Sequence, residues 1–453
     1  MKNKPIKAHL PNKISESYVY ELIKGTGLIS TINGCIYIEE IHNVWRSVSD
    51  SEAMIYVRDM FEEEWQPYLK FNLIERIIKG LKTDPDLQGE ITQLIHEDLV
   101  MLENGVWNIA EKKLLKEVND IKFARVVNAA VSEDMNLSTP VFDRFCKKVF
   151  NEEAYIEKRK ILLEIIGYSI SDIGNVKKAI LLLGPSNCGK SVILRFIQRL
   201  VGEQNVSNIS LSSFSERFTT VEMLGKALNI SGEIPSGSLS GRALDIFKSI
   251  TGGDRMDLSR KGRNSVQAKL RTKLIFAGNT IPTFSKIDGS HSLVGRIHLL
   301  LFDNEVAEVE RDIELEDKLW AERNEIVYGA LFAVADFLEN KKVFRITNDE
   351  LKVLDCMSHV TNPVSYFIEE CVEFDDSYMV HITDVYEAYL KFIASEALPG
   401  LDRVAFRNLM SMQKGIEISK TKKRLGKSSP KVCFSGIRLK ETVMYDKEQD
   451  SNM

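Results

Sequence analysis

The stretch "LLLGPSNCGKS", residues 181–191, constrains this chain more than any other. A short apolar run ends at Gly184, four residues follow, and Gly189, Lys190 and Ser191 complete the pattern G-x-x-x-x-G-K-[ST]. Ala179 to Leu183 reads as a buried strand, being short, continuous and apolar. Beyond Ser191, the apolar residues Ile193, Phe196, Ile197, Leu200 and Val201 recur at helical spacing. Strand, glycine loop and helix, in that order, are the setting in which such a loop cradles phosphate. Glycine lets the backbone curl until its N–H groups converge on an anion, and the helix N-terminus adds partial positive charge. Gly184, Pro185, Ser186, Asn187, Cys188, Gly189, Lys190 and Ser191 are therefore expected to bind ATP. Lys190 should reach the β- and γ-phosphates, and Ser191 should ligate Mg²⁺. Cys188 reads as a small filler residue, not a redox centre.

The rest of the chain sets limits. Its 453 residues suggest roughly three domains. No apolar run approaches the ~20 residues that span a membrane. The basic start, "MKNKPIKAHLPNK", has no apolar segment behind it, unlike a secretory signal. The six cysteines include no C-x-x-C pair, which argues against structural zinc and a disulfide framework. A reducing cytoplasm is expected. With a net charge of −5, nucleic-acid binding must come from local basic clusters.

Residues 1–125 mix strand-like and helical stretches. "GCIYIEE" alternates like a strand, "NLIERIIKGLK" has helical spacing, and "VMLENGVWNIAEKKLL" reads as two short strands around Asn104-Gly105. Residues 140–170 read as helical, with "YIEKRKILLEIIGY" apolar on one face. Strands are then expected at 179–183, 226–231, 273–278 and 296–302, with helices between. That alternation predicts a parallel sheet covered on both faces. After a helix-rich stretch, Asn362 and Pro363 open a helix, Thr383 a second and Asp402 a third. A segment rich in Lys and Arg, "SKTKKRLGKSSPKVCFSGIRLK", follows with turn residues at a hairpin tip. Three helices and a basic hairpin suggest a winged helix.

Three further positions carry chemistry. "KALNISGEIPSG" is an apolar stretch leading to Glu233, which would polarise the attacking water as a base or an orienting group. "TKLIFAGN" ends at Asn279, whose amide could sense the γ-phosphate, position water, or simply form a turn. Arg296 opens "RIHLLLF" and is either a surface ion-pair residue or a transition-state clamp supplied to a neighbouring subunit. Between Glu233 and Asn279 lies "GGDRMDLSRKGRNSVQAKLRTK", read as a hairpin with Arg260, Lys261 and Arg263 at a cationic tip able to grip backbone phosphate.

Together these segments resemble superfamily 3 helicases, of the phage- and plasmid-type primase-helicases related to poxvirus and satellite-phage replication proteins. "GPSNCGKS" looks like the Walker A segment, "NISGEIPSG" like Walker B and "FKSITGGDRMDLSRKGR" like the B-prime motif with its DNA-contacting hairpin. "KLIFAGNTIPTFS" resembles motif C, with Asn279 as sensor, and "DGSHSLVGRIHLLLF" the segment carrying the arginine finger. The resemblance implies a multidomain α/β chain. It would comprise an N-terminal α+β domain (1–125), a helical collar (126–170), a central AAA+ P-loop ATPase (171–345) and a winged-helix-like domain (346–453). It also implies a hexameric ring with ATP between subunits, and 3′→5′ travel on single-stranded DNA at a fork. Partners reached through the winged helix would be an initiator, a primase or a polymerase.

Two departures stand out. The acidic pair that usually ends the Walker B strand is Gly232-Glu233 here, so Mg²⁺ would rest on Ser191 and Glu233, largely through water. Position 295 is Gly where a second basic residue is common, which leaves Arg296 as the candidate finger. No zinc pattern or acidic metal triad precedes the collar, so primer synthesis is not expected. A replication initiator or loader that melts an origin with little unwinding, and an ATP-binding scaffold without motor action, remain open readings.

Overall fold

The computed structural model describes residues 6–11, 14–32, 34–41, 43–115, 118, 121–174, 176–234, 238–260, 263–280, 283–284, 293–396, 398, 400–426 and 428–440. At its centre is a five-stranded parallel sheet. Its order is Ile297–Leu301, Ala179–Leu183, Lys273–Gly278, Leu228–Ser231 and Val206–Ser207. The strands alternate strictly between two cores. Ile180, Leu182, Ile275, Ala277 and Leu300 face one apolar cluster, while Ala179, Leu181, Leu183, Leu274, Phe276, Ile297 and Leu299 face the other. A sheet buried on both faces needs near-continuous apolar strands, which is what the sequence supplies. Each Ile, Leu or Phe among them contributes about 1.5–3 kcal/mol when withdrawn from water.

Helix Lys190–Val201 covers the first face, together with helices Tyr155–Ile170 and Arg323–Glu339. Helix Gly241–Gly252 covers the second through Ala243, Leu244, Phe247 and Ile250. The 140–170 stretch divides into Pro140–Val149 and Tyr155–Ile170. The second helix departs from the one-faced expectation, since every residue from Ile161 to Ile170 is buried. It is sandwiched so closely that a Cβ at Gly167 would lie 2.2 Å from the Ala330 carbonyl oxygen. Arg296, expected to open a strand, instead closes a short 3₁₀ turn, Val294–Arg296, just before Ile297–Leu301. Val206–Ser207 is a strand that periodicity did not reveal, being only two residues long.

Upstream, Ile29–Ile32, Cys35–Ile41 and Val44–Val48 form an antiparallel sheet. Helices Glu16–Lys24, Asp50–Asp59 and Phe71–Thr83 pack with it around one core. Leu99–Leu102 and Gly105–Asn108 pair around Asn104, as expected, and Lys113–Leu115 adds a third strand. Downstream, Pro363–Cys371, Ile382–Ser395 and Arg403–Ser411 are helices, the first capped by Asn362 and the third by Asp402. An antiparallel sheet ordered Val372–His381, Cys433–Leu439, Glu417–Ile418 completes a separate core. Among the described residues no helix is long and apolar enough to cross a membrane.

Candidate functional site

The loop after Leu183 is shaped by what surrounds it. The Gly184 N–H donates to the Gly278 carbonyl at 3.2 Å, and a Cβ at 184 would lie 2.3 Å from the Phe302 carbonyl oxygen. No larger residue fits between these neighbouring segments. Gly189 has φ +91° and caps helix Lys190–Val201, and a Cβ there would meet the Phe145 ring at 2.6 Å. Asn187 also takes a left-handed conformation, φ +58°, which Asn tolerates better than most residues. The loop is thus bent tightly onto the start of a helix, where unpaired backbone N–H groups favour an anion.

Lys190 is buried, and its Nζ sits in the mouth of that bend. It donates to the carbonyl oxygens of Gly184 (2.8 Å) and Pro185 (2.6 Å) and to Asn279 Oδ1 (3.1 Å), and lies 3.2 Å from Cys188 Sγ. Asn279 Nδ2 in turn donates to Ser186 Oγ at 3.1 Å. The structure therefore brings Asn279, the residue after Lys273–Gly278, directly onto the loop. Phosphate oxygens accept from an ammonium more strongly than neutral carbonyls do, so this cluster suits a phosphate group.

Glu233 lies just beyond Leu228–Ser231 and is exposed, with Ser231 Oγ donating to its carbonyl at 3.2 Å. The pairs Phe276↔Ser231 and Gly278↔Leu183 put the exit of this segment level with the loop. Ser191 is exposed on the first turn of the loop helix. Among the described residues no group of three or more His, Cys, Asp or Glu could hold a metal ion.

Arg296 sits at the other edge of the sheet. Ile297 pairs with Ala179, five residues before Gly184, so Arg296 and the loop of the same chain are separated by roughly 16 Å of strand. Its guanidinium donates to the Lys248 carbonyl and Thr251 Oγ1, both at 3.1 Å, capping helix Gly241–Gly252. The cationic hairpin springs from this same edge as strands Arg255–Arg260 and Arg263–Lys269, with Arg260 opposite Arg263. Lys261 lies outside the described residues.

Sequence reasoning missed what holds the loop from behind. The Val306 N–H donates to the Asn187 carbonyl at 3.1 Å. Asp303 accepts from the Asn151 N–H at 2.8 Å and from the fully buried Lys158 Nζ at 2.7 and 2.8 Å. Lys158 is far from Asp303 in sequence, and its one local signal is a charge inside an otherwise apolar helix.

Residues 182–296 match a family of unknown function (DUF5906). The match runs from within the loop strand to Arg296 and covers about a quarter of the chain. None of the curated proteins matches. The similar solved structures include apo forms of the NrS-1 C terminal region. Two of them cover 94% of this chain and 100% of their own, at 12% and 11% identity and TM-scores of 0.48 and 0.49.

Proposed function

We propose that the chain is an ATP-dependent DNA helicase of the superfamily 3 type. The observation that carries this reading is the meeting of Lys190, Ser186 and Asn279 at one glycine-bent loop, with Glu233 leaving the sheet beside it. The five-stranded sheet and its helices are then an AAA+ ATPase domain (171–345), preceded by an α+β domain (1–125) and a helical collar (126–170). The last unit (346–453) is read as a winged helix, on the described run of helix, strand, helix, helix, strand and strand from Pro363 to Leu439.

In this reading Lys190 and the loop N–H groups hold the phosphates of ATP. Mg²⁺, bound by Ser191 and through water by Glu233, would offset phosphate charge during transfer. Glu233 orients or deprotonates the attacking water, and Asn279 reports the γ-phosphate to its strand. Arg296 lies about 16 Å of strand from its own loop, so in this reading it serves the loop of a neighbouring copy in a ring, expected to be a hexamer. Strand Lys273–Gly278 follows the hairpin directly, so Asn279 can pass the nucleotide state to a tip, Arg260, Lys261 and Arg263, that grips the backbone without reading bases. The ring would run 3′→5′ on single-stranded DNA at a fork during replication of a mobile element in a bacterial cytoplasm. Helix Arg403–Ser411 exposes Arg403 and Arg407, which with the basic segment 420–431 would serve duplex DNA or an initiator, primase or polymerase.

Gly232 supports a second reading, an origin-binding initiator or loader, because the usual acidic contact toward Mg²⁺ is missing. The test is ATP hydrolysis with and without single-stranded DNA, followed by strand displacement from forks with a 3′ or a 5′ tail. DNA-stimulated turnover and displacement from the 3′ tail are expected. Turnover without displacement would favour the initiator. A rate unmoved by DNA and by Lys190→Ala would leave an ATP-binding scaffold.

A further inference from the structure

The segment after strand Ile297–Leu301 passes along the phosphate loop and is tied to it. The Val306 N–H donates to the Asn187 carbonyl at 3.1 Å, and Asn304 Nδ2 donates to the Phe150 carbonyl at 3.0 Å. Further on, the Glu310 N–H donates to the Ala307 carbonyl (2.9 Å) and the Arg311 N–H to the Glu308 carbonyl (3.2 Å). This fixed backbone presents Val309 and Ile313 at 95% and 98% exposure, more than any other large apolar side chain among the described residues. Both are β-branched, with little rotamer freedom to lose, so burying them at an interface costs little order. The same segment is acidic. Glu305, Glu308, Glu310, Asp312 and Glu314 accompany a single cation, Arg311. Glu310 is paired with Lys148, and Asp312 and Glu314 with Lys318, at 2.8–3.3 Å. Glu305 and Glu308 are exposed and have no ion pair among the described residues. A surface of this sign repels nucleic acid and calls for a cationic partner.

The opposite charge stands at the Arg296 edge of the sheet. Arg255 lies directly opposite Lys269 at the base of the hairpin. Like charges facing each other across an antiparallel ladder are destabilising. Both side chains are exposed, and neither has an ion pair or side-chain hydrogen bond among the described residues. Arg296 belongs to the same corner. A Cβ at Gly252 would lie 3.3 Å from its Nη1, and one at the adjacent Gly253 would lie 2.9 Å from Lys269 Cε. The Asp254 carboxylate sits 3.2 Å from the same Gly252 position, so the corner keeps a net positive charge.

We propose that the segment 305–313 is a docking surface for a second copy of this chain, whose Arg255 and Lys269 corner meets Glu305 and Glu308 while Val309 and Ile313 are buried beside that contact. The inference rests on the ring of the proposed function and assigns the surfaces that close it. Each surface adjoins one half of the same composite site. The acidic segment is bonded to Asn187 of the loop, and the cationic corner holds Arg296. A neighbour that brings its Arg296 to the loop therefore brings two unpaired cations toward two unpaired carboxylates. The charges select and orient the partner, and burial of the apolar pair adds affinity.

The test is sedimentation velocity of the full chain with Mg²⁺ and a non-hydrolysable ATP analogue, over a concentration series. Wild type should assemble. Glu305→Lys/Glu308→Lys and Arg255→Glu/Lys269→Glu should each raise the concentration for half-assembly about a hundredfold, because like charges then face each other. An equimolar mixture of the two variants should assemble again, since each acidic or reversed segment then finds the opposite charge on the other variant. Val309→Ser/Ile313→Ser should raise that concentration about tenfold. All six positions are exposed, so thermal melting of the unassembled chains should hold. Assembly of both charge variants at wild-type concentrations would overturn the proposal and leave the ring to another surface. Loss of assembly in both without recovery on mixing would also overturn it, since the two surfaces would then not meet. Assembly that follows the charges, with no ATP turnover by wild type, would sink the ATPase reading and leave the docking standing. A wild type that stays monomeric would remove both the docking and the ring.

Discussion

The two edges of the central sheet use glycine and charge in opposite ways. At the loop edge, Gly184 and Gly189 sit where a side chain would strike Phe302 or Phe145, and the single ammonium, Lys190, is wrapped in acceptors. At the other edge the exposed Arg255 stands directly opposite the exposed Lys269 at the base of the hairpin. Arg296 there is tied to the end of helix Gly241–Gly252. The first edge is shaped to enclose one compact anion. The second sets cations on an exposed hairpin base and at a helix end. The strands between them hold the two edges about 16 Å apart.

The sharpest way to break that contrast is at the loop. Lys190→Ala should lower ATP turnover about a thousandfold and weaken nucleotide binding, read by hydrolysis and by titration with a fluorescent nucleotide. Glu233→Gln should keep binding but lose about 10²–10⁴ in turnover, because it removes a base or orienting group and leaves the cradle intact. Equal loss of binding in Glu233→Gln would mean that Glu233 holds the loop's shape and not the water.

A smaller effect tests the support behind the loop. Lys158→Ala strands Asp303 in a largely buried site and should cost about 3–5 kcal/mol of stability, measured by denaturant unfolding. Nucleotide affinity should fall too, since the Phe302–Val306 segment braces Gly184 and Asn187. The mildest change is Gly232→Asp. Nothing lies within 4 Å of a Cβ at 232, so the fold should accept it. The variant should turn over ATP a few-fold faster at low Mg²⁺, and no gain would show that water and Ser191 already suffice.

How much of this was legible in the chain differs between the edges. Gly184, Gly189 and Lys190 announce themselves because one short loop carries the whole pattern, and Asn279 follows because an apolar strand ends on it. The hairpin was legible from its turn residues and charges. Helix Tyr155–Ile170 was misjudged because Lys158 and Glu164 imitate a solvated face. Both are buried, Lys158 on Asp303 and Glu164 on Arg345, and such distant pairing leaves no local periodicity. Burial still pushes Glu164 up to about 7 despite that arginine.

The central claim is that one chain's loop is completed by another chain's Arg296. Mixing Lys190→Ala with Arg296→Ala tests it most directly. Each variant alone should hydrolyse ATP at a small fraction of the wild-type rate. At equal mixing, about a quarter of the interfaces in a ring pair an intact loop with an intact arginine, and turnover should recover to about that share. Full activity of Arg296→Ala alone, or no recovery on mixing chains that co-assemble, would contradict the account.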